Sequence, residues 1–463
     1  MFRSGFTKHL FKGEIKFSSF NEQKDSLVPR IMFKMPETPV LNKHSNHERI
    51  TQVIFTLALV LLLLILPLGF VHEKASRVTF YWCSYLSVAG ILLNIKSIIS
   101  MFNNSKIVIP GLLLAIMYSI WSAIASHNMI SGVDNGILFT PAKRWLLGSL
   151  ISLFILWGVN NKLMGRELLF KLTWISLSSA FIISSAYGIW QHFNGVDRIV
   201  LGINRATLTA YAYSAMALAM MTMLNQIRMV SVKYIAIILT CLLSIYIIFL
   251  TETRSAMFIH TLISVVILFK SLWHGRKLRP LPVIAILLAF FVIALSSKNI
   301  ITTRFDSTKQ ELTKFNQGDD HTSLGSRFTL WKSGLIAIEK NPLGETQVTR
   351  NTIIRQWLHT NNPNSFALEY INVHLHNEFI QYTSLFGVFG FIVLLVFFIK
   401  LIFDNGIRGI FNNPISVMAV SALLYGMTDV LLTSIEYVVI FSTLALLASI
   451  NNLEKVKSTN CNE

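Results

Sequence analysis

Cysteine, acidic side chains and charge in general are scarce in this 463-residue chain. Only three cysteines occur: Cys83 and Cys241 lie in or beside apolar runs, and Cys461 is in the tail. That spacing excludes a disulfide framework and a cysteine-rich metal site. Charged residues make up 14% of the chain, against about a quarter in a soluble domain. Acidic residues are fewest, with 23 Asp and Glu against 40 Lys and Arg, for a net charge of +17. A surplus of that sign can mark a nucleic-acid binder. Here no basic patch is interleaved with aromatics in a soluble stretch, so nucleic acid is not an expected partner. The surplus fits cytoplasmic loops that meet anionic headgroups. No Asp-x-Asp pair occurs, and the adjacent Asp319-Asp320 is a poor substitute for one.

What the chain has in abundance is apolar sequence. Hydrophobic residues are 53% of the total, the mean hydropathy is +0.56, and the apolar residues cluster in runs of about twenty, the length that crosses a bilayer as a helix. Such runs fall near 50–71, 80–101, 107–126, 145–160, 168–190, 206–225, 233–251, 255–273, 280–297, 379–402, 413–432 and 436–451. The expected fold class is an all-α polytopic membrane protein of about twelve spans, with one large loop between spans nine and ten. The expected division is a polar N-terminal tail (1–49), a membrane domain (50–297), the loop (298–378), a second membrane segment (379–452) and a short tail (453–463). Met32 and Met35 offer alternative starts within the first tail, which reads as disordered. The first apolar run begins too late for a cleaved signal peptide and reads as a retained span. Lys and Arg in the short loops favour cytoplasmic N- and C-termini. The long loop then faces outward, onto the periplasm in a double-membraned bacterium.

That loop holds most of the chemistry-bearing residues. Arg327 to Asn341 has helical periodicity, with Phe328, Trp331, Leu335 and Ile338 on one face, Ser323 as a possible cap and Asn341-Pro342 as the stop. Such a helix could lie on the membrane surface or pack on the spans below. Arg327 opens it, after the flexible approach of Gly325. Arg254 begins span eight after a tight turn, where the helix N-terminus adds partial positive charge; together they suit a phosphate. Read alone, Arg254 could as well pair with Glu252, and Arg327 is an ordinary surface arginine. His374 and His376 are two residues apart and precede span ten. Their spacing is not that of a helical zinc site, so no metal is expected. A neutral imidazole there can serve as a general base. Asp429 falls within span eleven near its outer end, where an idle carboxylate is expensive. It could orient a histidine, pair with an arginine or reach the interface.

The ordered set Thr251-Glu252-Thr253-Arg254-Ser255-Ala256, Ser323-Leu324-Gly325-Ser326-Arg327-Phe328 with Leu330-Trp331, Asn341-Pro342-Leu343 and Asn372-Val373-His374-Leu375-His376-Asn377-Glu378 resembles the bacterial O-antigen ligases. These belong to a larger superfamily of ligases and polymerases acting on lipid-linked glycans. The likeness spans roughly 50–452. His376-Asn377 is followed after nine residues by Gly387-x-x-Gly390, a spacing common in the ligases. The two threonines that often come next are replaced by Phe391-Ile392.

The resemblance implies a glycosyltransferase of lipopolysaccharide biosynthesis in the inner membrane. Its donor would be O-antigen on undecaprenyl diphosphate. Its acceptor would be a sugar hydroxyl of lipid A–core, and the transfer inverting and free of metal and cofactor. By motif match, the essential arginines fall on Arg254 and Arg327, the essential histidine on His376 and the late aspartate on Asp429. His376 is then the base, Arg254 and Arg327 grip the diphosphate, and His374 and Asp429 support them. The loop is expected to fold back as a lid. An O-antigen polymerase of the same superfamily, a protein O-glycan ligase and a transporter of lipid-linked glycans are the competing readings. A transporter predicts charges at mid-membrane, which are few here.

Overall fold

A computed structural model of the chain describes residues 46–101, 107–127, 136–227, 229–273, 287, 290–292 and 295–460. Helices α1 (Asn46–Val71), α2 (Glu73–Leu93), α3 (Ile95–Met101), α4 (Val108–His127), α5 (Gly136–Asn160) and α6 (Arg166–Phe193) come first. They are followed by α7 (Ala206–Leu224), α8 (Val230–Leu250) and α9 (Arg254–Leu272). The long loop contains α10 (Lys298–Asn316), α11 (Ser323–Lys340) and α12 (Gln347–Asn361), then a 3-10 turn, Phe366–Glu369. Helices α13 (Glu378–Ile402), α14 (Pro414–Gly426) and α15 (Ile435–Asn460) complete the chain. No strand occurs among the described residues.

Eight described helices are long and apolar enough to cross a membrane, so the protein is a multi-pass membrane protein. The expected span near 80–101 is instead α2, with Glu73, Lys74 and Arg77 in its first turns, followed by the separate short α3. The expected ninth span, 280–297, lies for the larger part, and residues 1–45 of the tail wholly, outside the described residues. The last helix runs beyond 452, through Asn460. Span eleven departs most from expectation. Its helix, α14, stops at Gly426 after 13 residues, and the chain continues as an irregular turn to Ile435. Asp429 is on that turn and not in a helix.

Helix α7 is the axis of the packing. Every residue from Leu208 to Leu224 is buried, and α8, α9, α14 and α15 lie against it. A helix apolar all round belongs inside a bundle. Its Ala, Ser and Met side chains suit that place, being small enough for close approach or soft enough to fill gaps.

The loop between α9 and α13 folds as its own helical layer. Leu330, Ala337, Ile354, Leu358, Ala367, Ile371 and Leu375 form a second small core there. Three helices occur where one was expected. The one foreseen, α11, is capped by Thr322, whose hydroxyl accepts from the Gly325 amide, and not by Ser323. Its packed face also differs from the expected one. Ser326, Leu330, Ser333, Gly334 and Ala337 are buried, whereas Leu335 is 55% exposed. A side chain at Gly334 would come within 2.6 Å of Ile380, so small residues let α11 approach α13 closely.

Helix α13 is broken at Gly387, where φ is 62° and ψ −160°. The segment Asn341–Glu345 plugs the break. Glu345 N donates to Leu385 O at 3.0 Å and Val388 N to Pro342 O at 3.0 Å. A Cβ on Gly387 would stand 2.3 Å from the Leu343 carbonyl carbon. The asparagine-proline-leucine motif and the first glycine of the Gly-x-x-Gly motif are thus the two halves of one joint.

Candidate active site

Four connections meet at one end of the bundle: the turn Leu250–Arg254, the loop before α7, the segment from Tyr370 to Asn377, and the turn between α14 and α15. Backbone and side-chain hydrogen bonds tie them together. Ile199 N donates to Leu250 O at 3.1 Å, Arg198 Nε to Thr251 O at 3.1 Å, and Asn377 Nδ2 to Met427 O at 2.9 Å.

His376 has φ of 51°, in the left-handed region that a histidine enters only when its surroundings hold it there. Three contacts do so. Its amide donates to His374 Nδ1 at 3.2 Å, its carbonyl accepts from Trp331 Nε1 at 3.0 Å, and the next residue, Asn377, caps α13 by accepting from the amides of Phe379 and Ile380. The twist brings both imidazoles to one carboxylate. His376 Nδ1 lies 3.4 Å and His374 Nε2 3.9 Å from Asp429 Oδ1. With Nδ1 turned toward Asp429, Nε2 is the nitrogen of His376 left for a substrate. Such contacts are often long before substrate binds and shorten in the complex.

Asp429 is held on its other side as well. Its Oδ1 accepts from the Val430 amide at 2.9 Å, and Tyr211 on α7 approaches Oδ2 at 3.5 Å. Burial pushes the Asp429 pKa up, but the His376 imidazole, His374 and the positive charge of Arg327 outweigh it, and the net shift is downward. The group is a carboxylate at neutral pH. His374 is pushed down to about 4, first by burial and then by its neighbour His376. It is therefore a neutral ring at pH 7, with Nδ1 occupied as an acceptor and the proton on Nε2.

The two predicted arginines are placed differently. Arg327, in the first turn of α11, acts through its charge on Asp429, His374, Tyr211 and Glu311 alike, so it belongs to the same centre. Arg254 opens α9 as expected, yet its guanidinium is engaged. It forms a two-pronged pair with the Glu311 carboxylate of α10, one contact being 3.1 Å. The same carboxylate accepts from the Leu324 amide at 3.0 Å. Burial raises the Glu311 pKa, but the hydrogen bonds from Arg254 and Leu324 and the charges of Arg254 and Arg327 carry it below the usual range. Glu311 thus sits where two arginines and a helix N-terminus converge, the place expected for an anion. Arg254 joins the centre through its neighbour: Ser255 Oγ is 2.9 Å from the hydroxyl of Tyr211.

Further cations, outside the expected set, crowd this end. Arg304 pairs with Glu252, whose φ of 52° turns it toward α10. Arg198 has its pKa lowered by burial and by the charges of Arg304 and Arg254, while Arg205 is exposed and its charge reaches His374. The side-chain partners were hidden in the sequence because they come from distant elements. Tyr211 left a visible signal that it shares with Tyr213, a polar ring in a span of small residues.

His374, His376 and Asp429 also offer three ligand atoms within 4.8 Å of one another. Two imidazoles and a carboxylate can hold a divalent cation. A cation there would compete for the Nδ1 and carboxylate that the base arrangement uses.

Residues 239–395 match the family model described as O-Antigen ligase. That stretch contains Arg254, Arg327, both histidines and the Gly387 joint. Over 359 residues the chain is 25% identical to an O-antigen ligase of Escherichia coli (strain K12), covering 76% of this chain and 83% of that protein. The family resemblance read from the motifs is borne out.

Proposed function

We propose that this chain, a member of the O-antigen ligase superfamily, transfers a glycan from a lipid-linked donor to an acceptor hydroxyl by a base-assisted displacement. The donor we assign is O-antigen on undecaprenyl diphosphate. The acceptor is a sugar of lipid A–core, and the reaction face is the periplasmic side of the inner membrane, with both termini cytoplasmic. The observation that carries the reading is the pairing of His376 with ionised Asp429 beside Arg327, at the end of the bundle where Arg254 also lies.

The acceptor hydroxyl attacks the anomeric carbon opposite the diphosphate. Its proton passes to His376 Nε2 as the new C–O bond forms, and the anomeric C–O bond to phosphate breaks. Asp429 stabilises the imidazolium that results. The leaving lipid diphosphate gains negative charge, which Arg254 and Arg327 meet with directed N–H groups. Losing one such donor costs on the order of 100-fold in rate. The reaction requires no bound cation in this scheme, since guanidinium groups supply the positive charge.

Purified protein given lipid-linked O-antigen and lipid A–core should form the joined product. His376→Ala and Arg327→Ala should each lose transfer, by on the order of 100-fold or more, while eluting and melting as wild type. Near-normal turnover in either variant would remove that residue from its role. Excess EDTA should leave the wild-type rate unchanged; a loss restored by a divalent cation would reassign the two histidines as metal ligands. Transfer to a second lipid-linked glycan, with none to lipid A–core, would make the protein a polymerase.

A further inference from the structure

Glu378 is a fully buried carboxylate that the scheme above does not use. It is the first residue of α13 and lies two residues after His376. Its oxygens accept the Leu431 amide at 2.7 Å and the Leu432 amide at 3.3 Å. Asn377 meanwhile donates its side-chain amide to Met427 O at 2.9 Å. The turn that carries Asp429 is therefore held two residues before the aspartate, and again two and three residues after it. Both holds come from the two residues that follow His376. Close packing supports the same contact: a Cβ on Gly426 would stand 3.2 Å from Glu378 Cβ, so the end of α14 approaches α13 with no side chain between.

A buried carboxylate is costly unless its oxygens are satisfied. Two adjacent peptide N–H groups need acceptors; both oxygens of the Glu378 carboxyl can accept, whereas the amide nitrogen of a glutamine can accept from neither. A hydrophobic residue would leave both amides unsatisfied. The residue type is thus matched to fixing a turn.

We propose that Glu378 is a positioning residue for glycosyl transfer: it sets the distance between His376 and Asp429 by clamping the Asp429 turn to the start of α13. It touches no reactant and acts only through that pair. The proposal rests on the transferase reading given above. Displacements of about 1 Å at a reacting centre can cost 100-fold in rate, so loosening this clamp should appear in kcat.

The test measures transfer with the full-length protein in detergent, with lipid-linked O-antigen and lipid A–core varied separately. Glu378→Gln should lower kcat by about tenfold and Glu378→Leu by about 100-fold, with KM for either substrate within about twofold of wild type. Asn377→Ser retains a capping oxygen but loses the donor to Met427; it should lower kcat several-fold and serves if the Glu378 variants do not fold. The deciding measurement is the double-mutant cycle with Asp429→Asn. If Glu378 acts through Asp429, Glu378→Gln and Asn377→Ser cost no further rate in the Asp429→Asn background. Additive losses in the cycle, wild-type kcat in Glu378→Gln, or an effect confined to KM would each overturn the proposal. Absence of transfer by the wild-type protein would instead overturn the transferase reading itself.

Discussion

The charge state of each ring and carboxylate decides what the site can do. A neutral His374 beside an ionised Asp429 is what lets the proposed scheme assign the proton to His376. The low pKa of His374 also has a cost in stability. Its ordinary value is 6.5 and its folded value about 4. Between those pH values the unfolded chain binds a proton that the folded chain does not, so stability falls as pH drops through that window. Asp429 and Glu311, shifted downward, lose their contributions only at lower pH, in and below the carboxylate range. Thermal unfolding of wild type and His374→Gln, followed from pH 7 to pH 4.5, should therefore converge: the wild type loses more. Equal slopes would show that the ring is not held neutral. Glu311 leads to a second expectation. In the proposed scheme a donor diphosphate displaces this carboxylate from Arg254, a partly exposed pair of about 1 kcal/mol. Glu311→Gln should lower the donor KM by up to about fivefold and leave the acceptor KM alone, and unchanged donor KM would place the diphosphate elsewhere.

Individual elements explain which parts of this arrangement could be read in advance. His376, Arg327 and Arg254 stood in motifs, because each is fixed by its local chain: a cap, a helix start, a tight turn. The face of α11 was misjudged for a definite reason. Its large residues Phe328, Trp331 and Leu335 carry the hydrophobic periodicity, but helices that pack closely do so through small residues, here Ser333, Gly334 and Ala337. Asp429 was found but placed in a helix, since an apolar run does not reveal that α14 ends early at Gly426. Glu311 was illegible, and Glu378 was read only as the end of a motif, because their partners are amides and a guanidinium supplied from other elements. The Gly387 joint was visible only as a spacing. Its physical meaning gives a sharp test. Gly387→Ala puts a Cβ 2.3 Å from backbone and forces a residue with a side chain to φ of 62°, so it should cost about 2–4 kcal/mol. Gly165→Ala, with nothing within 4 Å, should be near neutral. Melting of the two purified variants in one detergent makes the comparison.

For the molecule as a whole, the distribution of function between membrane and loop is what distinguishes a transferase from a transporter. The site draws Arg327, Glu311 and the histidines from the loop, and Arg254, Tyr211 and Asp429 from the ends and turns of the bundle. All lie at one end. A transporter would need a pathway through the bundle and a gradient or potential to drive it. Transfer should proceed in detergent, where no potential exists, and at the same rate in proteoliposomes with and without an imposed potential. Dependence on the potential would reopen the transporter reading. The break in α13 adds a consequence for how the protein is made. Within a bilayer no water is at hand to satisfy opened backbone groups, and here the partners of Leu385 O and Val388 N come from Glu345 and Pro342, outside the helix. This span is therefore incomplete when it leaves the translocation machinery. It becomes a finished membrane helix only when a segment from the far side of α12 has docked into it, so biogenesis of the anchor waits upon folding of the part it anchors.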